Sequence, residues 1–226
     1  MNDLYESLSF GRPLRGSKKL QRLYGALIRN KRIQMRKLKQ SPRHYLNVGC
    51  GPNINNKFIN LDYFWTPALD LCWDITKSLP FDDNTLNGVY AEHCLEHISF
   101  SSCQKAIGEF FRILRPGGVI RIVVPDAELY MNLYVRSKNG EAVRFPYVTD
   151  QDIEEGYTPI MSVNRVFRNH GHHFAYDFET LSMMLCRAGF IDISKASYMQ
   201  GRNSDLLIDS EKRRIESLYI EASKSE

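Results

Sequence analysis

The 226-residue sequence predicts an open, mostly parallel α/β sheet, and three observations carry that expectation. Short apolar runs at 45–48, 58–61, 69–73, 86–91 and 119–124 alternate with crossover segments. The β-branched run at 119–124 suits a strand buried on both faces, as in a parallel sheet. The first run breaks into Gly49-Cys50-Gly51, and the second is followed by Asp62. Such a pattern delivers a cofactor to a backbone turn, with an acid on the next strand tip to hold a ribose.

Bulk properties narrow the class. With 43% hydrophobic and 25% charged residues, the composition is that of a soluble globular protein long enough for a sizeable core. No apolar run approaches the roughly 18 residues of a membrane span, and Met1-Asn2-Asp3-Leu4 does not open a signal pattern. Cys50, Cys72, Cys94, Cys103 and Cys186 form no Cys-x-x-Cys pair, so free thiols and a cytoplasmic setting are expected. Charge is unevenly spread. Between Ser7 and Leu61 there are 13 Lys and Arg and no acid, so a basic arm precedes an acidic body.

In chain order, residues 17–40 read as a helix. Leu20, Leu23, Tyr24, Leu27 and Ile28 share one face, Ser17 is a candidate N-cap, and Ser41-Pro42 ends the run. Two roles are open for it: docking on an anionic membrane, RNA or acidic substrate, or packing its stripe on the domain with its charges solvated. The expected division is an arm at 1–43 and a domain at 44–226. Within the domain, a helix at 102–114 is stopped by Arg115-Pro116-Gly117-Gly118, and another covers 126–138. Periodicity is then lost from Asn139 to His170, which predicts a long lid or binding loop, with 139–176 as the insertion. A helix at 177–188 ends at Gly189, and strands at 191–199 and 217–223 read as an antiparallel pair at the sheet edge. The gap from Gly49 to Asp62 leaves little room for a first crossover helix.

Four motifs stand in order: Leu-Asn-Val-Gly-Cys-Gly-Pro-Asn at 46–53, Leu-Pro-Phe at 79–81, Glu-His-Cys-Leu-Glu-His at 92–97 and Arg-Pro-Gly-Gly at 115–118. Together they resemble the Rossmann-like (class I) S-adenosylmethionine-dependent methyltransferases, from about His44 to the C-terminus. The resemblance implies a doubly wound sheet and S-adenosylmethionine as cofactor. It implies cofactor contacts from Asn47, Gly49, Cys50 and Gly51 in the turn, and Asp62 on the ribose. Asp74 and Ile75 would border the adenine, and Ala91, Glu92 and His93 would lie by the sulfonium and the acceptor. The family's usual acid before the first glycine is Asn47 here, and Asn53 takes the place of the third glycine.

Rival readings of the same residues are weaker. A dinucleotide dehydrogenase needs a third glycine where Ile54 stands. His93-Cys94-Leu95-Glu96-His97 matches the His-x-x-Glu-His zinc pattern, yet no third ligand follows at helical spacing. His170, His172 and His173 lack paired cysteines or carboxylates at ligand spacing, so no metal is expected. Phe145, Tyr147 and Tyr157 either line an acceptor pocket or pin the lid to the body.

The expected activity is methyl transfer to an O or N atom of a small-molecule or glycan-type acceptor under the lid. His93 is the first candidate base, with Glu92 and His173 behind it. The alternative is a non-catalytic module that docks on nucleic acid or on an anionic membrane through the basic arm, with nucleic acid the less favoured partner.

Overall fold

The computed structural model describes residues 16–38 and 41–226, so the start of the basic arm lies outside the described residues. Among the described residues one sheet holds seven strands: β1 (Tyr45–Val48), β2 (Ile59–Asp62), β3 (Leu71–Cys72), β4 (Leu86–Glu92), β5 (Leu114–Pro125), β6 (Ile191–Ala196) and β7 (Ser217–Ser223). Their order is β3-β2-β1-β4-β5-β7-β6. The first five neighbours pair in parallel, while β7 runs antiparallel to β6, as the sequence predicts, and also to β5. Val48 stands level with Leu61 on β2 and Ala91 on β4. The glycine turn, Asp62 and Glu92 therefore share the C-terminal edge of the sheet, where open α/β sheets bind ligands.

Alternation along the strands splits the core between two faces. Val89, Ala91, Ile120 and Ile122 pack with Ile107 and Phe110 of α3 (Phe100–Ile113) and Leu181 and Leu185 of α7 (Phe178–Ala188). On the opposite face Tyr90, Val119 and Val123 pack with Leu206 and Tyr219, under the connection from β6 to β7. Arg121 also points to this face and is fully buried. Its guanidinium donates to Asp209 (2.8 Å), Glu221 (2.8 Å) and the carbonyls of Ser197 (2.9 Å) and Gln200 (3.1 Å). One buried cation with two carboxylates and two carbonyls thus ties the connection from β6 to β7 to the sheet.

Three expectations need correction. The arm is not one helix over 17–40: α1 (Gly16–Ile28) begins before Ser17, and after it come a short turn and α2 (Met35–Leu38). Asn30 makes the break with φ of 60°, a left-handed conformation that asparagine tolerates. The broken arm pairs with the outer edge of β3, where Asn30 N–H donates to Cys72 O (3.3 Å) and Gln34 exchanges two bonds with the Cys72 backbone (2.8 and 3.2 Å). An edge strand is protected in this way. The predicted apolar stripe is divided: Leu20, Leu23 and Leu27 are 69%, 61% and 65% exposed, whereas Tyr24 packs edge-on against Trp65 at 4.5 Å, beside the buried Gly25.

Second, α3 does end at Ile113, but the Arg115-Pro116-Gly117-Gly118 that follows is a bulge within β5 and not a loop before it. Pairing with β4 jumps from Leu86↔Leu114 to Gly88↔Val119, and Gly117 takes φ of 72° in the extra segment. Third, the region after Asn139 is not one loop but contains two helices. It holds α5 (Asp150–Glu154), opened by a Thr149/Asp152 capping box, and α6 (Pro159–Arg168), opened by Pro159. It packs through Phe145, Val148 and Val166 on Tyr130 of α4 (Ala127–Lys138). The other helices and strands match within a few residues, and residues 49–58 hold no helix.

The Arg121 cluster makes a stability prediction. Arg121→Met leaves Asp209 and Glu221 buried as like charges, and should cost about 3–5 kcal/mol in urea unfolding; a loss below about 1 kcal/mol would contradict the pinning role.

Candidate functional site

The site grows from the first strand tip. Gly49 has φ of 64°, and a Cβ there would fall 2.6 Å from the Cβ of Cys94, so only glycine lets the turn lie against the tip of β4. Gly51 also has positive φ, and its N–H donates to Asp62 Oδ2 (2.8 Å). The other oxygen of Asp62 accepts the N–H of Phe64 (2.7 Å). Each oxygen is held by one backbone N–H and keeps a lone pair for a further donor.

Asp62 lines a cavity of about 590 Å³. One wall is Gly49, Tyr63, Phe64, Trp73 and Ile75; the other is His93, Cys94, His97, Ile98 and His173. The volume lies in the range of small-ligand sites. The arm buttresses the first wall. Arg29 stacks on Tyr63 at 3.6 Å and donates to its carbonyl (3.0 Å), Arg22 lies 5.3 Å over Phe64, and Asn30 Oδ1 accepts the N–H of Asp74 (2.9 Å).

A second cavity of about 260 Å³ lies on the other side of Gly49, lined by Asn47, Cys50, Asn53, Tyr90, Glu92 and Ser210 among others. Glu92 and His93 follow each other in sequence and diverge to different cavities. Glu92 is held by the Ser210 N–H (2.8 Å) and hydroxyl (2.5 Å). Burial, and then the charge of Asp62, push the Cys50 thiol up to about 12, so it is neutral at physiological pH. Asn47 donates to Asn53 O (3.0 Å) and Asn60 Oδ1 (3.3 Å). The Asn60 oxygen also accepts the N–H of Asn55 (2.9 Å), which fixes its orientation. A carboxylate at 47 would face two acceptors, so an amide is required here in place of an acid.

A third cavity of about 240 Å³ shares His93 and His97 with the large one and is otherwise lined by Glu96, Tyr147, Arg165, His170, His172, Arg213 and Glu216. The β7 residue Ser217 donates its hydroxyl proton to Arg213 O (2.7 Å), so His93 Nε2 must donate to the Ser217 oxygen (2.8 Å). Burial, and then the charge of Arg213, hold His93 down to about 2. His172 Nδ1 donates to Val166 O (2.7 Å), and burial lowers its pKa. Burial also takes His97 down to about 4 and pushes Glu96 up to about 8.

The sequence-predicted residues therefore divide. Gly49, Asp62, Ile75, His93 and His173 line the large cavity, whereas Asn47, Cys50 and Glu92 line the polar one. Gly51, Asp74 and Ala91 line neither: Asp74 accepts the N–H (2.9 Å) and hydroxyl (2.7 Å) of Thr76, and Ala91 is buried in β4. Of the aromatics in this segment, Phe145 is buried beside Tyr130 and Tyr147 lines the histidine cavity. Sequence reading missed Tyr63, Phe64, Arg165, Arg213, Glu216 and Ser210. Only the aromatic pair directly after Asp62 offered a local signal. All five cysteines are unpaired, and no helix among the described residues is long and apolar enough to cross a membrane.

Residues 53–122 match the family model described as a methyltransferase domain. No curated protein matches the sequence. Solved structures similar to the chain include an S-adenosylmethionine-dependent methyltransferase from Archaeoglobus fulgidus, at 17% identity over 90% of this chain and 94% of that one, with a TM-score of 0.48. Another is the 1,6-didemethyltoxoflavin-N1-methyltransferase of Burkholderia thailandensis, crystallised with S-adenosylhomocysteine, at 14% identity over 100% and 87%, with a TM-score of 0.45. A third is phosphoethanolamine N-methyltransferase 2 of Haemonchus contortus with S-adenosylmethionine, at 14% identity over 87% of this chain and 53% of that one, with a TM-score of 0.45.

The amide at 47 is testable. Asn47→Asp should lower stability by about 1–3 kcal/mol in urea unfolding near neutral pH, the cost of setting a buried acceptor against two others; unchanged stability would refute the hydrogen-bond account.

Proposed function

We propose that this chain, whose residues 53–122 match a methyltransferase domain, is an S-adenosylmethionine-dependent methyltransferase that moves the cofactor methyl to an oxygen or nitrogen of a small polar acceptor seated in the histidine cavity. The observation that carries the reading is Asp62, which clasps the Gly51 N–H and also lines the large cavity beside the aromatic wall.

The residues fit the cofactor. Asp62 keeps lone pairs for two ribose hydroxyls, and Tyr63, Phe64, Trp73 and Ile75 form an apolar wall for adenine. Gly49 borders both cavities, so the turn from Gly49 to Gly51 would lead the amino-acid end into the polar cavity, among Asn47, Cys50 and Glu92. Asp74 and Ala91 act indirectly, by fixing the tips of β3 and β4. When bound, the cofactor supplies a methyl already activated on a positive sulfur, so the chain's own task is alignment. His93 and His97 form the wall shared by the large and histidine cavities, and His173 stands at the mouth of the large one. In this reading His93 orients the acceptor through a ring fixed by Ser217, and His173 contacts it from the entrance. Glu92, already held by Ser210, keeps the connection before β7 closed over the polar cavity. A glycan-type acceptor suits the polar lining, and the unpaired cysteines suit a cytoplasmic setting.

A second reading has its own observation. Leu20, Leu23 and Leu27 are exposed on α1 beside the exposed Arg22, with Lys31, Arg32 and Arg36 exposed further along the arm. The arm of residues 1–43 would then also hold the 44–226 domain on an anionic membrane surface. Sedimentation with phosphatidylserine vesicles should show binding that fades with salt; equal binding to neutral vesicles would refute it.

The main reading is tested by calorimetry with S-adenosylmethionine. Native protein should bind one equivalent, and Asp62→Ala should weaken binding at least tenfold, about 1.4 kcal/mol. No binding by native protein, or an unchanged affinity in the variant, would overturn it. A screen for labelled-methyl incorporation across small hydroxyl and amine compounds would then identify the acceptor.

A further inference from the structure

The wall between the large cavity and the histidine cavity holds a cluster that methyl transfer does not require. Glu96 is 1% exposed, and among the described residues no donor reaches either of its carboxylate oxygens. An isolated buried carboxylate is costly and calls for a partner. The neighbouring guanidiniums do not provide one. Arg213 pairs with Glu216 (3.1 Å), and Arg165 donates to Tyr130 (3.1 Å) and Pro146 O (2.6 Å).

What faces Glu96 instead is imidazole. His97 Nε2 lies 3.9 Å and His93 Nδ1 3.6 Å from its Oε1, and the ring of His172 stands edge-on to that of His97 at 4.9 Å. The hydrogen bonds fix two of the tautomers. His172 Nδ1 donates to Val166 O and His93 Nε2 to Ser217, so His172 Nε2 and His93 Nδ1 carry lone pairs. In His93 that lone pair faces the carboxyl group at 3.6 Å without a hydrogen bond between them. A neutral histidine with its second nitrogen bound to a backbone carbonyl is the arrangement that supports metal ligation.

We propose that Glu96, His97 and His172 bind a divalent transition-metal ion of the zinc type, with His93 beside the same carboxylate. One potential ligand atom from each of the three lies within 4.8 Å of the others. A tetrahedral ion with Zn–N bonds of roughly 2.0–2.1 Å holds its ligands about 3.3 Å apart, so the set need only draw in modestly. Two histidines and one glutamate leave a fourth position, as in catalytic zinc sites, and nitrogen with carboxylate favours zinc over magnesium or calcium. The scaffold is firm: His173 N–H and Phe174 N–H both donate to Glu96 O (2.7 and 3.3 Å), tying the histidine segment to the tip of β4. The site stands independently of the methyl-donor reading, since it uses neither Asp62 nor the glycine turn.

The test is metal binding by the full chain after chelator treatment. Zinc calorimetry should give one ion per chain, and cobalt(II) should give the visible bands of a tetrahedral nitrogen–oxygen site without a thiolate charge-transfer band. Glu96→Gln and His172→Ala should each weaken binding at least tenfold, with native far-ultraviolet circular dichroism. His172 is only half-buried, so its variant keeps the test open if Glu96→Gln does not fold. No stoichiometric binding, affinity unchanged in a folded variant, or a thiolate band marking a cysteine site would overturn the proposal.

Discussion

The Asp62 carboxylate is the constraint on which the candidate site depends. Its two oxygens accept the N–H groups of Gly51 and Phe64, locking the turn after β1 to the exit of β2. A charged acceptor makes such bonds stronger than neutral ones. The turn is also pressed from the other side, where Gly49 meets Cys94 with no room for a Cβ. Strand tips that would otherwise end in loose loops become one preorganised edge. The same aspartate remains available to a ligand in the large cavity, so scaffold and recognition meet in one side chain.

Around that edge, two segments outside the sheet are held by polar contacts. The broken arm covers the outer edge of β3 through Asn30 and Gln34, and places Arg29 and Arg22 over the aromatic wall. On the far side, Arg121 anchors the connection that carries Asp209 and Ser210, and Ser210 holds Glu92. Both arrangements use side chains to satisfy backbone groups where no helix or strand does so. The arm is therefore part of the wall of the large cavity as well as the carrier of an exposed apolar stripe.

The sheet was legible because its signals are local. The run at Tyr45–Val48 and the one at Ser217–Ser223 coincide with β1 and β7, and the missing first crossover helix followed from the short gap before Asp62. The helices between Asn139 and His170 were hidden. α5 has five residues, too few for periodicity, and only its Thr149/Asp152 capping box marked it. The arm's break was hidden for another reason: Asn30 looks like an ordinary helix residue until its side chain finds the Asp74 backbone. Long-range partners were the least legible. Glu92 and His93 look like one motif but diverge to different cavities, and His172 joins Glu96 across a large stretch of sequence through the lid. No spacing rule along a helix would have found it, because Glu96 and His97 sit in a single short turn.

The most direct test of the account is a crystal structure with S-adenosylhomocysteine bound. The account predicts the ribose hydroxyls on Asp62, the adenine against Trp73, Ile75 and Phe64, and the amino-acid end turning past Gly49 toward Asn47. Density elsewhere on the chain, or a ribose that makes no contact with Asp62, would contradict it.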